Sequence, residues 1–250
     1  MKSLRLFACL LLAVLASRAV AAQLNVFAAA SLSDAFAELA PEFRAASGDT
    51  LRCNFGASGT LALQIKEGAP ADVMFSADEI RMDQLEKAGL LMPGTRRTLL
   101  ANQLVLVVAA DRGAPVTVPA DLTKTAISHV AIGQPATVPA GTYAKEYLQK
   151  LGLWKQLHDK LVPLENVRAV LAAVETGNAD AGFVYRTDAM ISNRVRIAFA
   201  VPLAVGPKIT YPAAVIRDTK SPEAARALMT FLAGPEAQKV FAKYGFLSAN

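Results

Sequence analysis

Cysteine, histidine and net charge are all scarce in this chain. It has two cysteines and two histidines in 250 residues. Cys9 lies in an N-terminal apolar block. Once that block is removed Cys53 stands alone, which excludes an internal disulfide. In the strand-like run TLRCNF a lone cysteine reads as a small buried hydrophobe. His129 opens a strand, and His158 falls in a Lys-rich helical pattern where it reads as solvated. With no His-x-x-x-His or Cys-x-x-Cys pair, a transition-metal cation site is not expected. Phosphate-loop and Gly-x-Gly-x-x-Gly signatures are missing as well. Lys plus Arg number 26 against 21 Asp plus Glu. Lys2, Arg5 and Arg18 belong to the N-terminal segment, and the small excess that remains gives no nucleic-acid footprint. No apolar run reaches the ~20 residues of a membrane-spanning helix.

What the N-terminus does have is a basic start, an apolar block from Leu6 to Ala16 and the small-residue run SRAVAAQ. This is the pattern of a secretory signal peptide over residues 1–22, with a soluble mature chain starting near Gln23. Beyond it, short apolar runs alternate with helical patterns, which indicates α/β units and mainly parallel sheet. QLNVFAAA reads as a strand. Leu32, Phe36, Leu39 and Phe43 then mark one helix face, closed by Gly48, with Pro41 expected to kink or split it. LRCNF, DVMFS, NQLVLVVAAD, HVAIGQP, AGFVY and ITYPAAVI read as further strands. Helices are expected around Leu61, over MDQLEKAG, over VPAGTYAKEYLQKLG, from Val167, and twice after Ser221. Two lobes would need strands to join them directly, near Gln103–Val108 and Thr210–Ile216. Residues 23–102 and 212–250 would then form lobe 1, and residues 103–211 lobe 2.

Four junctions before helices share one style. Ser31 ends AAAS, with Asp34 three residues on in a capping-box spacing. Ser58 lies in GASGT, Ala140 in VPAGTY, and Val167 follows LEN. None is charged. A helix start leaves its first N–H groups unpaired and carries about half a positive charge, so it can hold an anion without Lys or Arg. Capped helices occur in every α/β protein, however, and spacing alone stops at a secreted α/β protein and a possible anion binder. GASGT does not meet the Gly-x-Ser-x-Gly rule, which leaves Ser58 as a hydrolase nucleophile without a base motif. Asp34, Asp72, Asp78 and Glu165 read as helix-start or turn residues rather than catalytic carboxylates.

VFAAASLSDA, FGASGTLALQI, GAPADVMFSAD, VPAGTYAKEYLQKLGLW, ENVRAVLAAVETGNADAGFVY and KYGF, in this order along the mature chain, together resemble the periplasmic molybdate-binding proteins of bacterial ABC transporters. The resemblance implies the two-lobed type II periplasmic binding protein fold, each lobe a mixed, mainly parallel sheet flanked by helices. It implies a monomer that is not an enzyme, takes no cofactor, encloses molybdate or tungstate and hands it to a membrane permease. Molybdenum would enter only as the bound oxyanion. The implied ligands are Ser31 and Ser58 through hydroxyl and backbone N–H, Ala140 and Val167 through backbone N–H, and Tyr185 through its phenol. Arg168 and Arg186, beside two of these, are expected to be solvated. Sulfate, thiosulfate or another tetrahedral oxyanion is the alternative cargo.

Overall fold

The computed structural model describes residues 21–111 and 113–249. Most of the segment read as a signal peptide, with Cys9, lies outside the described residues. The described residues build two sheets. The first holds β1 (Gln23–Ala29), β2 (Thr50–Gly56), β3 (Val73–Phe75), β4 (Arg97–Asn102), β10 (Ile209–Val215) and β11 (Leu247–Ser248), in the order β11-β4-β10-β3-β1-β2. The second holds β5 (Leu104–Ala109), β6 (Val130–Gly133), β7 (Leu161–Leu164), β8 (Ala181–Tyr185) and β9 (Val195–Ala200), in the order β7-β6-β8-β5-β9. Around the first pack α1 (Ser33–Ser47), α2 (Ser58–Lys66), α3 (Glu79–Lys87), α7 (Pro222–Ala233) and α8 (Pro235–Lys243). Around the second pack α4 (Pro139–Lys150), α5 (Val167–Thr176) and the short α6 (Arg186–Met190).

Strands buried on both faces explain the near-continuous apolar runs of the sequence. In β1, Leu24, Val26 and Ala28 face one core while Phe27 faces another with Leu61, Ile65, Met74 and Met82. The alternation is the period of two of a strand. The first core holds Phe36 of α1 between Phe75 and Phe241, with ring centroids 6.1 and 6.5 Å away. That contact brings the C-terminal helices back onto the first sheet.

Pairing is more antiparallel than the alternation of elements implies. Among the described residues, parallel pairing is confined to β1–β2, β1–β3, β6–β7 and β6–β8. The strands that carry the chain between lobes, β4, β5 and β10, pair antiparallel. The strand expected over 102–111 is two strands, because Gln103 between Asn102 and Leu104 is where the chain changes sheets. On the return crossing, Ile209, Thr210 and Tyr211 already pair with β4. These three residues, expected in lobe 2, therefore belong to the first sheet. Pro41 neither splits nor ends α1. It lies on the exposed face, where the carbonyl it leaves unpaired can meet water. His158 starts an exposed 3-10 turn, His158–Lys160, rather than lying in a helix. Cys53 is only half-buried, and burial pushes its thiol up to about 11.

Close backbone approach fixes α4 against β6. A Cβ on Gly141 would fall 1.9 Å from the carbonyl oxygen of Gly133. Gly141→Ala should therefore destabilise the protein by at least ~1–3 kcal/mol, the usual range for overpacking. Urea unfolding with an unchanged midpoint would show that this approach is not a constraint.

Candidate ligand-binding site

Parallel register sets the first half of the site. β1 and β2 run side by side from Gln23 opposite Thr50 to Ala29 opposite Gly56. Each strand ends two residues before a serine, so Ser31 and Ser58 leave the same sheet edge together. Ser31 lies in a 3-10 turn, Ala30–Leu32, ahead of α1, and Ser58 is the first residue of α2. The second half repeats the device with β6, β7 and β8. Ala140 follows Pro139 at the start of α4. Val167 starts α5, whose cap Asn166 accepts the Ala169 N–H at 3.0 Å. Tyr185 ends β8. In open α/β sheets, ligands gather at such carboxyl ends of parallel strands.

All five of these residues line one small cavity. Each is at most 4 % exposed. Its other walls are Ala29, Ala30, Gly56, Ala57, Ala77, Val138, Pro139 and Asn166, so no charged side chain lines it. Three helix starts open onto it, and their first N–H groups have no partner within their own helices. The Tyr185 hydroxyl is buried with no hydrogen-bond partner among the described residues. Burial holds the Tyr143, Tyr185 and Tyr211 phenols well above the usual range, so each keeps its proton and can donate it. A wider groove between α4 and β7, lined by Lys145, Gln149, Trp154 and His158, is open to solvent and has no buried polar side chain.

The capping role expected of Ser31 is not what the structure holds. Leu32 occupies the cap position of α1, which has no side-chain cap bond. The Ser31 hydroxyl instead meets the Tyr211 hydroxyl at 2.9 Å. Ser58 Oγ accepts the Ala77 N–H at 3.0 Å. Asp78 has the helix-start task expected of it, whereas Asp72 makes long-range bonds rather than a local turn or cap. Asp78 caps α3, and Asp72 accepts the Asn25 N–H at 2.7 Å.

Charge sits at the rim of the cleft. Arg168, expected to be solvated, is mostly buried because it spans the two lobes. It lies 2.6 Å from Asp34 and 2.8 Å from Asp188, and it donates to the Ser31 carbonyl at 3.3 Å. On the other side Arg81, held by Asp78 at 3.0 Å, donates to the Ala136 carbonyl at 2.8 Å. The Gly59 N–H reaches the Thr137 carbonyl at 2.9 Å. The lobes are thus closed on each other. Arg186 is exposed, as expected. Asn102, Asp188 and Tyr211 were not legible as site neighbours. Each sits in an ordinary strand or short helix, and only the crossing of the chain brings them to the cleft.

The family model for bacterial extracellular solute-binding proteins matches residues 24–247. The chain belongs to that family. Among curated relatives of this solute-binding protein, the molybdate-binding protein ModA of Escherichia coli is 40% identical over 228 residues, covering 90% of this chain and 88% of the relative. ModA of Haemophilus influenzae is 35% identical over 237 residues, covering 92% of each. Among solved structures, the Azotobacter vinelandii periplasmic molybdate-binding protein superposes with a TM-score of 0.81 at 26% identity, covering 91% of this chain and all of that one. The sulfate-binding protein SubI of Mycobacterium tuberculosis gives 0.78 at 19% identity over 92% of this chain and 88% of that one, a likeness of fold alone.

Two outcomes follow from this geometry. Tyr185→Phe removes a buried hydroxyl that has no hydrogen-bond partner among the described residues. The ligand-free solute-binding protein should lose no stability and can gain ~1–3 kcal/mol, whereas loss of a native hydrogen bond would lower it. Thermal unfolding without ligand separates the two. Burial pushes the Asp188 carboxyl up to about 6, against the pull of Arg168 and the Tyr185 N–H. The folded protein therefore holds this proton more tightly than the unfolded chain does. The resulting stabilisation is complete below pH ~4 and is lost as the pH rises through about 6. Asp188→Asn should flatten the decline of stability between pH 4 and 7, and denaturant titrations across that range will reveal an unaltered slope if it does not.

Proposed function

We propose that the protein is an extracytoplasmic, periplasmic receptor that encloses molybdate, or equally tungstate, between its lobes and delivers it to the permease of an ABC transporter. The observation that carries this reading is the buried cavity ringed by helix starts, two serine hydroxyls and the unpartnered Tyr185 phenol, with no charged wall. The names of the relatives point to the same cargo. Ser31, Ser58, Ala140, Val167 and Tyr185 are the proposed ligands. The lobes divide near Gln103 and just before Ile209, and they act as a monomer that opens and closes about these crossings.

Molybdate is a fully deprotonated dianion at neutral pH, and a site made of donors suits it. Hydrogen bonds to an ion contribute ~1.5–3 kcal/mol each. Five to seven of them outweigh the ~8 kcal/mol net that a micromolar complex requires, leaving a margin for dehydration of the ion. A cationic wall is unnecessary, and its own desolvation would offset much of its attraction. Phosphate near pH 7 keeps a proton that would need an acceptor. Sulfate has no proton and is rejected by its smaller size. Neither His129 nor His158 lines the cavity, so Ser58 lacks the base a hydrolase would need.

Calorimetric titration with molybdate, tungstate, sulfate and phosphate tests the reading. Molybdate and tungstate should bind at micromolar concentration or below, with sulfate and phosphate far weaker. Sulfate binding as tight as molybdate would reassign the cargo. Ser58→Ala should weaken molybdate binding by ~1–3 kcal/mol, because one hydroxyl donor is lost while the backbone N–H remains. An unchanged affinity would take Ser58 out of the ligand set.

A further inference from the structure

We infer that Asn102 and Tyr211 are positioning residues that orient the Ser31 hydroxyl as a hydrogen-bond donor to the cavity and so discriminate against protonated oxyanions. The inference rests on the proposed oxyanion function and adds residues that touch no ligand.

The direction of each bond in this chain follows from donors that cannot reverse. The Gln103 backbone N–H donates to Asn102 Oδ1 at 2.9 Å, which fixes which end of the Asn102 amide points where. Asn102 Nδ2 then donates its two hydrogens, to Thr187 Oγ1 at 3.0 Å and to Tyr211 Oη at 3.2 Å. Tyr211 is fully buried, and its hydroxyl has Ser31 Oγ, at 2.9 Å, as its other partner. If Ser31 donated to it, the Tyr211 hydrogen would be buried without an acceptor. That arrangement is costly and rare. Tyr211 therefore donates to Ser31 Oγ, and the Ser31 hydrogen is left free on the cavity side.

Ser58 is set the same way by a simpler route. The Ala77 N–H can only donate, and it occupies Ser58 Oγ. Both serine oxygens already accept a protein hydrogen bond, so each presents its hydrogen to a ligand. An anion that keeps a proton finds hydroxyls turned to donate, with at most one remaining lone pair on each oxygen, where it needs an acceptor. The chain also spans the fold: Asn102 ends the first crossing strand, Tyr211 lies in the second, Ser31 belongs to lobe 1 and Thr187 to lobe 2. The hydroxyl direction at the ligand is thereby set at the hinge.

The test uses molybdate and hydrogenarsenate at pH 8, where both are dianions and only the second carries a proton, with sulfate as an unprotonated control. Tyr211→Phe frees the Ser31 oxygen. It should weaken molybdate by about tenfold, the worth of one hydrogen bond near an ion. Hydrogenarsenate should hold or gain affinity, while the sulfate-to-molybdate ratio stays as in the wild type. Asn102→Asp replaces the donor with an acceptor and reverses the chain. It should shift the hydrogenarsenate-to-molybdate ratio further in the same direction, and the added charge cancels in that ratio. Equal losses for all three anions would mean a structural role only and would overturn the inference. Neutron diffraction of the deuterated, ligand-free protein is the second measurement. A deuterium on Tyr211 Oη directed at Ser31 Oγ supports the relay, and one on Ser31 directed at Tyr211 refutes it. Failure of the wild type to bind any oxyanion would remove the proposed function, and the neutron map would still decide the direction of the relay.

Discussion

A buried hydrogen-bond donor with nothing to donate to is costly, and among the described residues the Tyr185 phenol at the centre of this molecule is one. Three helix starts, two serine hydroxyls and the Tyr185 phenol converge on one cavity with no charged wall. Water could meet these donors in an open cleft. In the closed arrangement they are sealed from solvent, and a compact acceptor with several oxygens would satisfy them together. Closure and ligand would thus depend on each other, since the ligand supplies the acceptors that a sealed cavity lacks. Small walls would let an ion approach backbone N–H groups, which lie deeper than any side chain.

Formal charge is placed where its desolvation is partly relieved by a partner. Arg168 is held by Asp188 of its own lobe and by Asp34 of the other. Arg81 is held by Asp78 of its own lobe and caps a carbonyl of the other. Each arginine crosses the cleft to a backbone oxygen in a segment next to proposed ligand residues. An exposed ion pair contributes little to stability. These arginines are largely buried, and their hydrogen bonds to carbonyls exist only when the lobes meet. They would therefore act on the balance between open and closed forms, while on the proposed function the choice of ion would fall to the cavity.

Much of this was legible along the chain. The AAAS and GASGT junctions, the helix that VPAG begins and the one from Val167 lie where periodicity placed them, because a strand followed by a capped helix is a local pattern. Resemblance named Tyr185, for which spacing alone gave only a core aromatic. Other elements carry weak local signals. β7 contains Pro163, β9 mixes Arg196 with apolar residues, and β11 is two residues long. Local patterns also misled at Ser31, whose Asp34 spacing reads as a capping box. The Tyr211 and Arg168 side chains, distant in sequence, compete for those groups and win.

The sequence by itself determined the elements, the apolar faces that bury them and the uncharged helix starts, because each depends on residues within a few turns of one another. It also determined the family, through blocks kept in order over the whole chain. Tertiary structure alone decided that those starts meet in one cavity, that Arg168 spans the cleft, and that Asn102 and Tyr211 reach Ser31. These contacts join residues up to 180 positions apart, as between Ser31 and Tyr211. Their partners are chosen by strand order and by the two points where the chain crosses between sheets, which no local pattern encodes.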